Sequence, residues 1–343
     1  MKVFEKLGGV PFPNEEFLLG EFSPPVYICK KANGKPAIDG DVQKPFWEQA
    51  ERTAPFRDIE GNAKPAPAKE TWAKLLWDEE NLYLAAMLYD DQIWAYVKER
   101  DEVVFNDNDF EFFLDRNGTT HGYFELEVNA LGTLWDLMLT KPYRDGGHAI
   151  DGFDFKGIEC AVKIVGELNN PAAKNEYWSV EMRIPWKGIA KHGAASEPPR
   201  AGEYARFNLS RVEWRVKTDS GTYEKEIEPK TGNPYPEDNW VFAPTGLVNI
   251  HYPELWAFLV FADDSGGAFE IPEIEKLKWE LRKVYYMQRE HFAKHGRFSG
   301  GLAIDSPCKI TVETTDGTFH AHAKHGGLRA NITHDGYTWI ERA

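Results

Sequence analysis

Four oxygen-bearing side chains crowd into one short segment of the sequence. Asp107, Asn108, Asp109 and Glu111 lie just before and within a predicted strand. Calcium binds about six to eight oxygens in proteins, mostly from carboxylates and carbonyls. The spacing is not that of an EF-hand, and a turn rich in Asp and Asn ahead of a solvated strand face explains the same residues. The pattern suggests a structural calcium site, with an acidic strand edge as the alternative.

Aromatic residues in polar surroundings form a second candidate group. Trp94, Phe105, Tyr143 and Trp240 are each flanked by polar or charged residues, and Asn239 directly precedes Trp240. An exposed ring can stack on the C–H face of a pyranose while a nearby amide bonds to its hydroxyls. Rings that plug the ends of a β-sandwich explain the same contexts. We predict that these five residues contact a ligand.

Hydrolytic chemistry has weaker support in the sequence. Glycoside hydrolysis needs two carboxyl groups that flank the scissile bond, but among 55 Asp and Glu residues no pair stands out. Motifs for a serine nucleophile, a zinc protease and a phosphate loop are missing. His320 and His322 share one face of a predicted strand, without a clear third metal ligand. No catalytic residue is assigned, and a glycoside hydrolase stays an alternative function.

Charge and hydrophobicity exclude several classes of protein. The 343 residues include 40 Lys and Arg against 55 Asp and Glu, a net charge of −15. Nucleic-acid backbones are bound by clustered basic residues, so a nucleic-acid partner is not expected. No apolar run approaches the roughly 20 residues of a membrane span. Hydrophobic residues make up 42% of the chain, which is enough to form a packed core.

Cysteine spacing and the N-terminus say little about the compartment. Cys29, Cys160 and Cys308 are too far apart for a CxxC motif and are expected to be free, inert thiols. The first residues contain no continuous apolar segment of the kind found in a signal peptide. The compartment is therefore not assigned; an extracellular or periplasmic location is favoured if a signal peptide has been removed.

Short strands that bury one face must position these residues. Candidate strands, rich in aromatic and β-branched residues, lie at 72–77, 82–89, 109–115, 123–129, 178–184 and 205–214. In the third of these, Phe110, Phe112 and Leu114 share one face and the acidic residues occupy the other. No segment supplies the crossover helices of a parallel sheet. The sequence predicts an all-β fold, an antiparallel β-sandwich of the immunoglobulin or jelly-roll type.

The last 81 residues have a different character. The polar stretch 263–267 separates residues 1–262, with net charge −14, from residues 263–343, with net charge −1. A helical pattern opens at Pro272 and runs to about His295, where Gly296 suits its end. Strand patterns follow at 308–314, 318–323 and 337–340. We predict two units, a sandwich over 1–262 and an appendage of one helix and short strands over 263–343.

The order of these motifs resembles that of family 9 carbohydrate-binding modules. The resemblance covers about residues 30–262 and rests on the segments 36–40, 46–50, 71–78 with 81–83, 89–91, 108–115, 123–132, 181–186 and 239–240.

This resemblance implies a non-catalytic sandwich that binds the end of an oligosaccharide or polysaccharide, often between two aromatic rings, in support of glycan degradation. By position in the family pattern, Phe105 corresponds to one of these rings and Trp240 to the other. Members also carry structural calcium, which the resemblance places near the acidic strand. Here that strand opens with Asn108, where the family usually has Asp.

Related sandwiches that hold haem give a further alternative. Haem ligands there include methionine with histidine or lysine, and Met87, Met138 and Met182 are the candidates in this chain. All three lie in strand patterns, which is typical of core residues.

Overall fold

A computed structural model describes residues 22–189, 197–263 and 266–343. Its strands, in chain order, are β1 Val26–Lys31, β2 Arg57–Asp58, β3 Thr71–Trp77, β4 Asn81–Tyr89, β5 Asp109–Asp115, β6 Tyr123–Asn129, β7 Leu134–Leu139, β8 Ala149–Ile150, β9 Glu159–Val165, β10 Tyr177–Pro185, β11 Tyr204–Glu213, β12 Val216–Lys217, β13 Glu224–Lys225, β14 Asp238–Val241, β15 Ala257–Phe261, β16 Ile310–Thr314, β17 Phe319–His325, β18 Leu328–Thr333 and β19 Thr338–Arg342. The helices are α1 Trp186–Ile189 and α2 Glu273–His295. Short 3₁₀ turns lie at Pro45–Gln49, Gly61–Ala63, Val104–Asn106, Tyr143–Asp145 and Pro253–Leu255.

One continuous sheet folds over on itself to make the sandwich. Its strand order is β8-β7-β6-β5-β11-β15-β1-β3-β4-β10-β9, and β14 pairs with both β11 and β2. The strands before β1 in this order, with β14 and β2, are called the front sheet, and those after it the back sheet. The predicted antiparallel sandwich is confirmed, with one exception at β1. This strand is parallel to β15 through Val26–Cys29 and to β3 through Lys30–Lys31, and so joins the edges of both sheets.

The core lies between the front and back sheets. The apolar residues Phe110, Phe112 and Leu114 of β5 point inward, as the alternation predicts, and pack with the inner face of the back sheet. Met87 and Met182 are fully buried. The three cysteines are free, and Cys29 is buried. Among the described residues, no helix has the length and apolar character that crossing a bilayer requires.

Part of the outer face of the front sheet is covered by other segments of the chain. Phe113 of β5 packs there with Tyr123, Leu137 and Trp256, while Asp109 and Glu111 on the same face are also buried. The cover is the segment before β15, which includes the 3₁₀ turn Pro253–Leu255. Alternation along β5 therefore separates two buried layers, an apolar core and a partly polar outer layer.

The predicted C-terminal helix and strands are present. Helix α2 begins after Pro272 and ends at His295, with Gly296 in the left-handed conformation at φ +67. Strands β16 to β19 form an antiparallel meander. Strand β18 was not predicted, although the Gly326–Gly327 pair before it, with φ +55 and +77, is a hairpin signal.

Residues 266–343 are called the tail below. Its core packs α2 against the meander and also includes Tyr252 and Leu255, which precede β15. The boundary at residue 262 stays a prediction.

Candidate functional site

A cleft of about 370 Å³ opens on the outer face of the front sheet. Strands β5, β6 and β7 with parts of β11 and β14 form its floor, and the loops around residues 143 and 248–251 form its walls. Its lining residues are Ile59, Phe105, Glu111, Glu125, Glu127, Trp135, Leu137, Tyr143, Val212, Glu237, Asn239, Val248, Asn249, Ile250 and His251. Among these described lining residues there is no Lys or Arg, so the cleft is acidic.

Carboxyl groups gather on the floor because of strand register. Glu111 of β5 lies directly opposite Glu127 of β6, and Glu127 lies opposite Trp135 of β7. One oxygen each from Asp109, Glu111 and Glu127 fall within 4.8 Å of one another. Asp109 accepts a bond from the backbone N–H of Val212 at 3.3 Å, whereas its Oδ2 is buried and has no hydrogen-bond partner among the described residues.

The environment disfavours negative charge on these groups. Burial, followed by repulsion from neighbouring carboxylates, raises the pKa values of Asp109 and Glu127 well above their ordinary range. Burial and Glu111 do the same for Glu125. Burial also raises the pKa of Glu111 to about 7. The cluster therefore favours a proton or a bound cation.

Three aromatic rings border this acidic floor. Phe105 is 37% exposed and Tyr143 is 47% exposed, whereas Trp135 is half-buried. The Phe105 and Trp135 ring centres lie 6.2 Å apart, at an interplanar angle of 31°. The Phe105 N–H donates to Glu127 Oε2 at 2.9 Å, which ties this aromatic turn to the carboxyl cluster. Tyr143 packs edge-to-face on His251 at 4.8 Å.

The structure brings together three of the five predicted ligand contacts. Phe105, Tyr143 and Asn239 line the cleft, whereas Trp94 and Trp240 do not. Trp94 is 3% exposed and packs with a separate group near Tyr223.

The polar loop predicted around Trp240 is a strand. Asn239 and Trp240 are successive residues of β14, so one points into the cleft and the other into the sandwich core. Trp240 is 6% exposed, and the Arg211 guanidinium lies 5.3 Å from its ring centre. As placed, neither Trp94 nor Trp240 offers a free face to a ligand.

The four predicted calcium ligands separate into two pairs. Asp107 Oδ2 accepts bonds from the N–H groups of Tyr96 and Val97 and from Asn129 Nδ2, at 2.8, 2.8 and 2.9 Å. Asn108 Oδ1 accepts from the Trp214 N–H at 2.8 Å. These two residues fix the loops beside β5.

Asp109 and Glu111 instead join Glu127 in the carboxyl cluster. Carboxylate oxygens suit a hard cation such as calcium, and the unpartnered Asp109 oxygen fits one.

Sequence reasoning missed several cleft residues, namely Glu125, Glu127, Trp135, Asn249 and His251. The alternation of β6, with Phe124, Leu126 and Val128 inward, was a sufficient signal that its glutamates face outward. Trp135 lies on β7, which was not predicted. His251 comes from a loop; burial and the nearby Arg144 charge lower its pKa to about 3, and its Nδ1 is 3.0 Å from the Tyr123 hydroxyl.

Part of the sandwich matches a known protein family. Residues 38–202 match the family described as "Carbohydrate family 9 binding domain-like". This segment belongs to that family. No curated protein matches the chain significantly. The assignment to family 9 supports non-catalytic carbohydrate binding by the sandwich.

A solved structure shows the same fold. A candidate carbohydrate-binding protein from Bacteroides uniformis ATCC 8492 is 15% identical over 70% of this chain and 100% of its own, with a TM-score of 0.50. Structures of a family 9 carbohydrate-binding module from Caldicellulosiruptor kristjanssonii are also similar. Its cellotriose complex is 17% identical over 71% of this chain and 99% of its own, with a TM-score of 0.43. Its glucose complex is 18% identical over 71% and 97%, with a TM-score of 0.44.

Proposed function

We propose that the family 9-like sandwich binds a carbohydrate in the acidic cleft without converting it. The observation that carries this proposal is the set of partly exposed rings of Phe105, Trp135 and Tyr143 around a floor of carboxyl and amide groups. Apolar ring faces pack on the C–H faces of a sugar, and carboxylates and amides bond to its hydroxyls. A role in support of glycan degradation is the biological context that the family resemblance suggests.

We also propose that a calcium ion occupies the carboxyl cluster. Asp109, Glu111 and Glu127 are the residues that would hold it, in place of the four predicted from the sequence. The ion would supply the positive charge that the cleft lining lacks.

Substitution of the exposed rings tests the sugar site. In calorimetric titrations with glucose, galactose, mannose, xylose and their β-1,4-linked oligomers, Phe105→Ala and Tyr143→Ala should each weaken the tightest binding by about tenfold or more, because aromatic anchors carry much of the binding energy. Tyr89→Ala is the matched control, since Tyr89 is similarly exposed at 38% but lies on the back sheet. Equal affinities in all three variants and the parent would show that the cleft is not the site.

The hydrolase alternative has a separate test. Burial raises the pKa of Glu111 to about 7, Glu111 lies opposite Glu127 in the cleft, and glycosidases use a pair of carboxyl groups. Prolonged incubation of the bound oligosaccharide should yield no new reducing ends if the protein only binds. New reducing ends that disappear in Glu111→Gln would establish the enzyme instead.

A further inference from the structure

The turn that carries Tyr143 faces the cleft on one side and the tail on the other. While Tyr143 lines the cleft, the next two residues contact α2. The Tyr285 hydroxyl donates to Asp145 Oδ1 at 2.5 Å, and Arg289 Nη2 donates to the backbone carbonyl of Arg144 at 3.0 Å. The position of the Tyr143 ring is therefore linked to the helix of the tail.

The second wall of the cleft is linked to the same helix. Residues 248–251 line the cleft, and Glu254 follows them in the same segment. The Tyr286 hydroxyl donates to Glu254 Oε1 at 2.6 Å, and Arg282 Nε lies 3.8 Å from the same oxygen.

Arg144 joins the two walls to each other. Its guanidinium donates to both oxygens of Glu254 at 2.7 and 2.9 Å and to the backbone carbonyl of His251 at 3.0 Å. Burial acts to raise the pKa of Glu254, but the charges of Arg144 and Arg282 outweigh it and lower the pKa to about 2. Both bonds to Glu254 come from Nη2, whereas Nη1 donates to the His251 carbonyl, so one buried charged group holds both walls.

The helix residues in this network share one face of α2. Arg282, Tyr285, Tyr286 and Arg289 are spaced by three, one and three residues, which places their side chains in one stripe along the helix. Tyr285 and Tyr286 are buried, so their hydroxyls are committed to contacts inside the molecule.

We propose that the tail is part of the ligand-binding unit: α2 positions the two loops that wall the carbohydrate cleft. This inference rests on the proposed sugar site. If the competent loop arrangement is populated for only part of the time, the apparent affinity falls by that fraction. The α2 hydroxyls raise the competent fraction, because each bonds a charged group on one of the walls. Tyr285 and Tyr286 are thus positioning residues that do not touch the sugar.

Deletion of single hydroxyl groups tests the proposal with little change in packing. Tyr286→Phe, and Tyr285→Phe combined with it, should raise the Kd for the tightest sugar of the panel by about fivefold or more. The matched control is Tyr204→Phe, because the Tyr204 hydroxyl donates to Glu275 of α2 at 3.1 Å and so joins sandwich to tail away from the cleft walls. The control should lower the melting temperature while leaving Kd within about twofold of the parent.

Hydrogen exchange supplies a readout that general destabilisation would not reproduce. In Tyr286→Phe, backbone amides of 143–147 and 249–256 should exchange faster, whereas those of β5 and β6 should not. Arg289→Gln is a second variant, partly exposed and therefore well tolerated.

Two outcomes would overturn the inference. Parent-like Kd values in Tyr286→Phe, in the double variant and in Arg289→Gln would show that the network only holds the tail in place. An equal rise of Kd in Tyr204→Phe would show that any loosening of the tail has the same effect. Failure of the sugar site looks different: the parent binds no sugar, or Phe105→Ala binds as well as the parent.

Discussion

Two neighbouring residues of β14 show that a shift of one residue along a strand moves a side chain from the cleft to the core. Asn239 lines the cleft, and Trp240 lies in the core beneath Arg211, although both follow the same acidic segment. Trp240→Ala should therefore lower the free energy of unfolding by about 3–5 kcal/mol, as other large-to-small core substitutions do. Urea denaturation measures this change. Phe105→Ala, at an exposed ring, should cost less than about 1 kcal/mol.

The competing hypothesis for Trp240 predicts the reverse pattern. A sugar-stacking Trp240 would lose binding on substitution while the fold stays intact. A Trp240→Ala protein with parental stability and no sugar binding would return this residue to the site.

At the scale of elements, the β5–β6 hairpin concentrates negative charge. Its register sets Glu111 against Glu127, and Asp109 lies beside them with an oxygen that no described residue bonds. Millimolar calcium should therefore raise the melting temperature and EDTA should lower it, because an ion that binds only the folded state stabilises it by mass action. Magnesium should act much less, since it demands tighter octahedral geometry.

A substitution in the β5–β6 hairpin tests the calcium prediction. Asp109→Asn removes one buried ionisable carboxyl group, so it should reduce the calcium effect and, in EDTA, raise the melting temperature relative to the parent. Glu224→Gln is the matched control, an equal change of charge at an exposed position in β13. Identical melting curves in calcium and in EDTA, on protein shown by elemental analysis to be metal-free, would contradict the calcium proposal.

At the scale of the whole molecule, sandwich and tail share buried polar contacts. Asp145 and Glu254 are buried, the Arg144 side chain is 2% exposed, and the three are bonded to each other or to α2. A chain that ends at residue 262 should therefore melt at a lower temperature or be less soluble than the full chain, because unpaired charges and the apolar surface under α2 become exposed. Differential scanning calorimetry of both proteins measures the effect, and equal melting temperatures would show that the tail is independent.

Local sequence patterns predicted several of the elements of this protein. Period-two alternation gave β5 and β6 with their inward faces, since side-chain direction in a strand depends only on parity. The start and end of α2 followed from Pro272 and Gly296, which act through local backbone geometry. The ordered short motifs gave the family, and with it the sandwich and the expectation of a sugar ligand.

Which side chains meet depends on the tertiary fold. Glu111 and Glu127 face each other through strand register, whereas Tyr143 and Asn239 reach the same cleft from loops and strands about 100 residues apart in the chain. Trp240 turned inward and Asp107 was used to hold a loop, although their local sequences resemble those of the residues that form the site. Polar neighbours in the sequence indicate that a residue is able to contact water or a ligand. Whether it does so depends on the segments of the chain that pack against it. These segments are distant in the sequence, so local sequence patterns do not predict their contacts.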